Sequence, residues 1–236
     1  MHVIGIIGAM DEEIAILRDK IKINKQFKRA KMEFYVGRYA NKEVVVVKSG
    51  IGKVNASVCS QVLISEFHVD AVINTGVAGA IFDELEVGDI VISQDVIQHD
   101  FDVTGFGGYK LGEIPRMDEY IFQADSDLIH MASRATNHDK EDNKHKAFVG
   151  RILSGDIFIA NHEKKEFLWK EFKGYCTEME GAAIGHTCYL NNIPFVVIRA
   201  MSDKADGTAH TNFNDFFKTA AKNSTEIVLD MLTNMK

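Results

Sequence analysis

The sequence predicts an α/β protein, a three-layer α/β/α sandwich around a central mixed β-sheet. Three observations predict it. Short wholly apolar runs alternate with helix-period segments along most of the 236 residues. The apolar runs, such as VVVV at 44–47, have no polar face and so read as strands covered on both sides. Two strand-like runs at 33–38 and 43–48 flank Asn41 as a hairpin, which makes the sheet mixed rather than purely parallel.

The elements follow in order. VIGIIG at 3–8 reads as a buried strand, and 11–22 as a helix with Ile14, Leu17 and Ile21 at helical spacing. After the hairpin come a helix from Val54 to Phe67, the strand AVIN running into TGVAGA, and a strand at 88–98. The stretch 104–120, TGFGGYKLGEIPRMDEY, has no period and reads as a long loop of the kind that serves function. A helix at 125–137 leads into HDKEDNKHK, a solvated connection. The last third predicts strands at 147–153, 175–179 and 195–200, helices at 162–172 and 180–191, and a terminal helix from about Phe213. No internal repeat is visible.

Hydrophobic residues make up 46% and charged residues 26% of the chain, enough to bury a core, and Pro115 and Pro194 are the only prolines. With no Pro-rich linker, residues 1–236 are expected to form a single catalytic domain. A net charge of −7 without an evident basic face argues against nucleic acid or a membrane surface as partner. Cys59, Cys176 and Cys188 form no CxxC pair, Asp11, Glu12 and Glu13 follow the first apolar run too closely for a secretory signal, and no apolar stretch nears membrane-spanning length. The expected location is cytoplasmic.

Three strands end in small-residue turns: GAMDEE at 8–13, SGIGK at 49–53 and NTGVAGA at 74–80. Such turns either close tightly or admit a ligand against the backbone, and both readings stand at this level. GIIGAM lacks the GxGxxG spacing, and SGIGKV fails the phosphate-binding loop because Val47 stands where the first glycine belongs and Val54 follows the lysine. No cofactor is supported. The histidines are scattered, His99 with Asp100 and Asp102 lacks a third ligand at metal-site spacing, and no GxSxG elbow occurs. No metal site is expected.

The acids are more informative. Glu13 follows one strand, Glu178 and Glu180 follow another in TEMEG, and Asp203 follows a third in VVIRAMSDKAD, so carboxylates are expected to converge on one edge of the sheet. Paired acids cut glycosidic bonds, one protonating the leaving group and one activating water. Each acid alone also has a structural reading: Glu12 and Glu13 or Glu180 as partners of a helix dipole, Asp203 as a turn cap.

Taken in order, GIIGAMDEE, KSGIGKVNA, NTGVAGA, LSGDIFI, EMEG and IRAMSDKAD resemble the bacterial 5′-methylthioadenosine/S-adenosylhomocysteine nucleosidases from about Gly5 to the terminal helix. The resemblance implies a nucleoside-phosphorylase-like fold, a homodimer, and hydrolysis of the N-glycosidic bond of adenine thionucleosides. Related activities on 5′-deoxyadenosine or an aminofutalosine stay open. It implies that Glu13 activates water and that Asp203 donates a proton to adenine N7. Glu180 would hold the ribose hydroxyls, Met179 would pack on the sugar, and Arg199 would position the water and the acids. Phe158 would stack on adenine while the backbone at Ile159 reads its edge. Ile51, Val103 and Phe213 would wall the pocket, Ala9, Met10, Gly79 and Ser202 complete the substrate-binding set, and Phe106 and Pro115 would reach the partner subunit's pocket. Val77 departs from the serine of many members; it removes a hydroxyl and leaves the backbone of that turn.

Two rivals differ in what they require. A phosphorylase of the same fold needs arginines and free amides for phosphate, whereas the turn after the first strand carries three acids and its first arginine is Arg18. A non-catalytic nucleoside-binding module would keep the glycines and Phe158 without needing both Glu13 and Asp203.

Overall fold

Strands buried on both faces must be covered on both faces, and the chain arranges its helices accordingly. The computed structural model describes residues 2–136, 145–206 and 209–235, with no side-chain description for 210–215. The expected connection at 138–146 therefore falls mostly outside the described residues.

The chain runs β1 (Val3–Gly8), α1 (Asp11–Lys20), β2 (Lys22–Arg29), β3 (Met32–Tyr39), β4 (Lys42–Lys48), α2 (Lys53–Phe67), β5 (Ala71–Ala80) and β6 (Ile90–Gln98). A 3-10 turn at Thr104–Phe106 precedes β7 (Ile121–Gln123) and α3 (Ser126–Ala135). Then come β8 (Ala147–Ser154), α4 (His162–Phe172), β9 (Cys176–Glu178), α5 (Gly181–Asn191), β10 (Phe195–Asp203) and α6 (Ala209–Asn234). Among the described residues, all ten strands join one mixed sheet. β1 lies parallel between β4 and β5, while β3 runs antiparallel to β4 and closes the expected hairpin.

Side-chain alternation feeds two cores. Val44 and Val46 join Ile4, Ile6 and Ile73 beneath α1, α3 and α6, while Val45 and Val47 join Ile7 and Val72 beneath α2 and α5. The run VVVV is thus a strand with a full apolar set on each face, and the layers are helix, sheet, helix. A third cluster, including Leu153, Leu168 and Phe172, seats α4 beside the far end of the sheet.

The sheet is not open along its whole width. β5 pairs with β10 on one side and β9 on the other, and β10, β6, β8 and β9 pair in turn, so these five strands close a ring. β9 runs antiparallel to β5, with Thr177 opposite Gly79. Its carboxyl end at Glu178 is thereby delivered beside the tail of β5.

Two strands were not anticipated. KINKQFKR (β2) has no apolar alternation because only Phe27 is even half-buried; its ring meets Phe67 at 5.7 Å. A lysine-rich outermost strand discourages pairing with another chain, so pairing with β3 rather than burial defines it. α1 accordingly stops at Lys20, two residues short of the expected end. β7 is three residues paired to β6, too short to leave a pattern. β10 continues to Asp203 and α6 begins at Ala209 rather than Phe213. Among the described residues no helix is long and apolar enough to cross a membrane.

Candidate active site

The site is built on the tail of β5. Asn74 is fully buried and donates from Nδ2 to the carbonyl of Ile7 at 2.9 Å, while Oδ1 faces β10. Gly76 follows, and nothing larger fits. A Cβ there would lie 2.4 Å from Glu13 Oε1 and 3.1 Å from Arg199 Nη1. A Cβ at Gly79 would lie 2.8 Å from Asp203 Oδ1. These two glycines of NTGVAGA leave room for side chains of the protein itself, so the close approach they provide is to carboxylates.

Glu13 sits in the first turn of α1, but its carboxylate points back over the strand ends. Oε2 accepts the amides of Ala9 at 2.6 Å and Met10 at 3.0 Å, and Oε1 accepts the amide of Val77 at 3.1 Å. The residue is 4% exposed. Its burial and its reach across to β5 exceed what a helix-dipole partner requires. Burial pushes its carboxyl above the ordinary range, against the pull of the Arg199 charge and of the three amides. Val77 contributes through its backbone, as its missing hydroxyl leaves possible.

Arg199 on β10 is the hub. Its Nη2 donates to Asn74 Oδ1 at 2.6 Å and to Glu178 Oε2, and stands 3.8 Å from Glu180 Oε2. Burial works against its charge, but the adjacent Glu178, Glu13 and Glu180 outweigh it and hold the guanidinium firmly protonated. Glu178 also accepts from the Ser154 hydroxyl and from the amides of Glu180 and Gly181. Glu180 precedes α5 without capping it; Oε1 accepts the amide of Gly52 at 2.8 Å instead. Burial first, and the Glu178 charge second, push its carboxyl up.

Asp203 ends β10 at a register shift. Its Oδ1 accepts the amide of Ala205 at 2.8 Å and its Oδ2 the hydroxyl of Ser202 at 2.8 Å. The turn-cap reading is therefore right as far as it goes, yet the group is only 3% exposed and lies against Gly79.

The carboxylates do converge, though not on one common edge. Glu178 ends a strand that opposes β5 while Asp203 ends one parallel to it, and ring closure sets both strand ends beside β5, where Thr177 and Asp203 each pair with Gly79. Around them, Ala9 is buried, Met10, Val103 and Met179 are half-buried, and Ile51 and Phe158 are exposed. The Ile159 side chain belongs to the third apolar cluster, leaving only its backbone for a ligand. Phe106 is 83% exposed at the 3-10 turn, and Pro115 is half-buried further along the loop. The Phe213 side chain lies outside the described residues. Sequence reasoning assigned no role to Asn74, Ser154 or Gly52, and left Glu178 out of the site proper. Asn74 and Ser154 act by hydrogen bonds across the sheet, which no local pattern records; TEMEG did carry a signal for Glu178. Among the described residues no group of three or more His, Cys, Asp or Glu side chains is placed to hold a metal ion.

Residues 3–233 match the family model of the phosphorylase superfamily. The 5′-methylthioadenosine/S-adenosylhomocysteine nucleosidase of Staphylococcus saprophyticus is 47% identical over 226 residues, covering 95% of this chain and 96% of that protein. The chain belongs to this nucleosidase family. The crystal structure of the Neisseria meningitidis nucleosidase in complex with methylthio-immucillin-A superposes with a TM-score of 0.94 at 40% identity, over all of both chains. Futalosine hydrolase of Helicobacter pylori gives 0.91 at 33% identity, covering 99% of this chain and 98% of that one. The enzyme is a hydrolase by family, and its mixed sheet with covering helices is the family's fold.

The fit at Gly76 makes a direct test. Gly76→Ala should lower turnover by about 10²-fold or more, because the new methyl displaces the Glu13 carboxylate and the Arg199 guanidinium from their partners. Steady-state kinetics on folded protein checks it, and near-normal turnover would show that this geometry is not used.

Proposed function

We propose that the enzyme hydrolyses the N-glycosidic bond of 5′-methylthioadenosine and S-adenosylhomocysteine, releasing adenine and the 5-thio-substituted ribose. The observation that carries this reading is two buried carboxylates, Glu13 and Asp203, held three residues apart along β5 at Gly76 and Gly79. Both acids thus meet the tail of one strand, where a sugar–base bond is placed between them in this reading.

Each group has one task. Glu13, ionised, takes a proton from water as the water oxygen bonds to C1′. The C1′–N9 bond breaks, and Asp203 gives its proton to N7, so adenine leaves as a neutral base. The proton on Glu13 then passes to solvent and Asp203 regains one, which resets the pair. Glu180 holds the ribose hydroxyls, Met179 lies along the sugar, and Arg199 fixes Glu178 and Glu180 relative to β5. Phe158 stacks on the base, the backbone at Ile159 reads its edge, and Ala9, Met10, Ile51, Gly79, Val103 and Ser202 complete the walls.

The arrangement of basic side chains favours water over phosphate. Lys48 is paired with Asp11 at 2.7 Å, Arg18 lies over the Tyr35 ring at 4.4 Å, and Arg199 is bonded to Glu178. Lys48 and Arg199 are thus committed to carboxylates, and phosphate would face the acids of the same turn. The need for two acids likewise favours catalysis over mere nucleoside binding. A second substrate, an aminofutalosine, is supported by the likeness to futalosine hydrolase.

In this reading residues 1–236 act as one catalytic domain in the cytoplasm, and two copies form a homodimer. Phe106, Val54 and Leu190 are 83%, 75% and 63% exposed, large apolar side chains of the kind a second copy would cover. Phe106 and Pro115 of the loop 104–120 then complete the partner's 5′ pocket.

Purified enzyme in phosphate-free buffer should release adenine and free sugar. Asp203→Asn should lose at least ~10²–10⁴ in rate while still binding nucleoside. A requirement for phosphate, or a sugar 1-phosphate product, would assign a phosphorylase instead. For the dimer, Asp203→Asn chains mixed with chains altered at both Phe106 and Pro115 should regain activity, since one site of each mixed dimer is intact. A fully active monomer, or mixtures that stay inactive, would reject the shared pocket.

A further inference from the structure

Outside the carboxylate cluster, three turns that carry proposed pocket residues are joined in a closed ring of hydrogen bonds. Lys53 Nζ, at the start of α2, reaches Asp100 Oδ1 at 2.6 Å and Gln98 Oε1 at 3.1 Å. The other oxygen of Asp100 accepts the amide of Asp156 at 2.9 Å. Asp156 Oδ1 in turn accepts the amide of Lys53 at 2.9 Å, which closes the ring. The turns so joined are 49–53, bearing Ile51; 98–104, bearing Val103; and 154–159, bearing Phe158. One residue before Lys53, the amide of Gly52 holds Glu180 at 2.8 Å.

We propose that Asp100, held by Lys53, is a positioning residue of the nucleosidase reaction: the Lys53–Asp100–Asp156 ring sets the Gly52 amide against Glu180 and the Phe158 turn against the base. The inference rests on the nucleosidase reading for what the pocket holds. It adds residues that touch neither water nor the breaking bond.

Lys53 and Asp100 are more than an ordinary surface ion pair. The Lys53 and Asp100 side chains are 17% and 13% exposed, so solvent screens them weakly. Both Asp100 oxygens are committed, one to an ammonium and one to an amide, which fixes the carboxylate plane as well as its position. Gly52 adopts φ +98°, a conformation that suits glycine, and a Cβ there would lie 3.1 Å from Asp156 Oδ1. The turn therefore has one backbone path past Asp156, and along it the Gly52 amide meets Glu180. Burial tends to raise the Asp100 carboxyl, but the Lys53 bond, the Asp156 amide and the nearby charges hold it below the usual range. The neighbouring His99 is 1% exposed and is pushed down to about 4 by burial, so at neutral pH it is uncharged and does not compete with Lys53 for Asp100.

A ring that positions the pocket acts on binding before chemistry, because Glu13 and Asp203 belong to other elements. The variants are Asp100→Asn, Lys53→Met, their double, and Lys53→Arg. The measurements are kcat and KM for methylthioadenosine, calorimetric Kd for adenine, and backbone hydrogen exchange over 50–56, 154–160 and 3–8. In folded Asp100→Asn and Lys53→Met, KM and the adenine Kd should rise about tenfold, with kcat changed less than about threefold. The double variant should be no worse than either single, as members of one ring are not additive, and Lys53→Arg should recover most of the loss. Exchange should quicken at 50–56 and 154–160 and stay unchanged at 3–8.

Unchanged KM and Kd with unchanged exchange, a loss confined to kcat, or additive effects in the double variant would each overturn the proposal. If Asp100→Asn does not fold, the contrast between Lys53→Met and Lys53→Arg decides by the same readings. If the unaltered enzyme releases no adenine, the nucleosidase reading fails, and adenine binding with hydrogen exchange still judges the ring separately.

Discussion

The structure depends on one buried guanidinium. Arg199 is 2% exposed and has Glu178, Glu180 and Glu13 around it, so three carboxylates share one fixed positive charge in a desolvated site. Burying any one of these acids alone would be costly, and removing the arginine would leave several uncompensated. Every neighbouring feature follows from keeping that arrangement intact. Asn74 orients the guanidinium, Ser154 and the first amides of α5 satisfy Glu178, and Gly76 leaves the space in which Glu13 and Arg199 approach each other. Burial is the largest influence on Glu13 and Glu180 and pushes both carboxyls up, against the charge of Arg199.

The sheet is what makes such a cluster buildable. In an open sheet of parallel strands, the residues of β9 would face the far edge from those of β10. Closing β5, β10, β6, β8 and β9 into a ring lets an antiparallel strand deliver Glu178 next to Asn74 and Gly76. The turns that surround the ligand space are then fastened from outside by Lys53, Asp100 and Asp156. The Lys53–Asp100–Asp156 ring lies outside β5 and β10, which carry Gly76, Gly79, Arg199 and Asp203.

Much of this was legible in the sequence, and the reasons are local. VIGIIG and VVVV announce strands because burial on two faces leaves only apolar residues, and Asn41 marks the hairpin between β3 and β4. Glu13, Glu178, Glu180 and Asp203 stood out as acids following apolar strands, and the roles given to Glu180 and Arg199 came with the family resemblance. β2 was invisible because a lysine-rich outermost strand carries no hydrophobic period. Ring closure, and with it the partners Asn74, Ser154 and Gly52, depends on pairings between residues distant in sequence, which neither period nor composition encodes. The acids were expected along one edge; they meet because strands of opposite sense close on one another.

Burial raises the Glu13 carboxyl within the acidic cluster, and the Arg199 charge opposes that rise. Side-chain carbon-13 NMR of glutamate-labelled enzyme, titrated with pH, measures it most directly. Glu13 should titrate above its ordinary value of 4.5, since burial outweighs the charge of Arg199 and the three amides. In Arg199→Met, which keeps an apolar stem and removes the charge, the Glu13 midpoint should move further up. A Glu13 that titrates at or below 4.5, or one indifferent to the loss of Arg199, would show that burial does not govern this carboxyl.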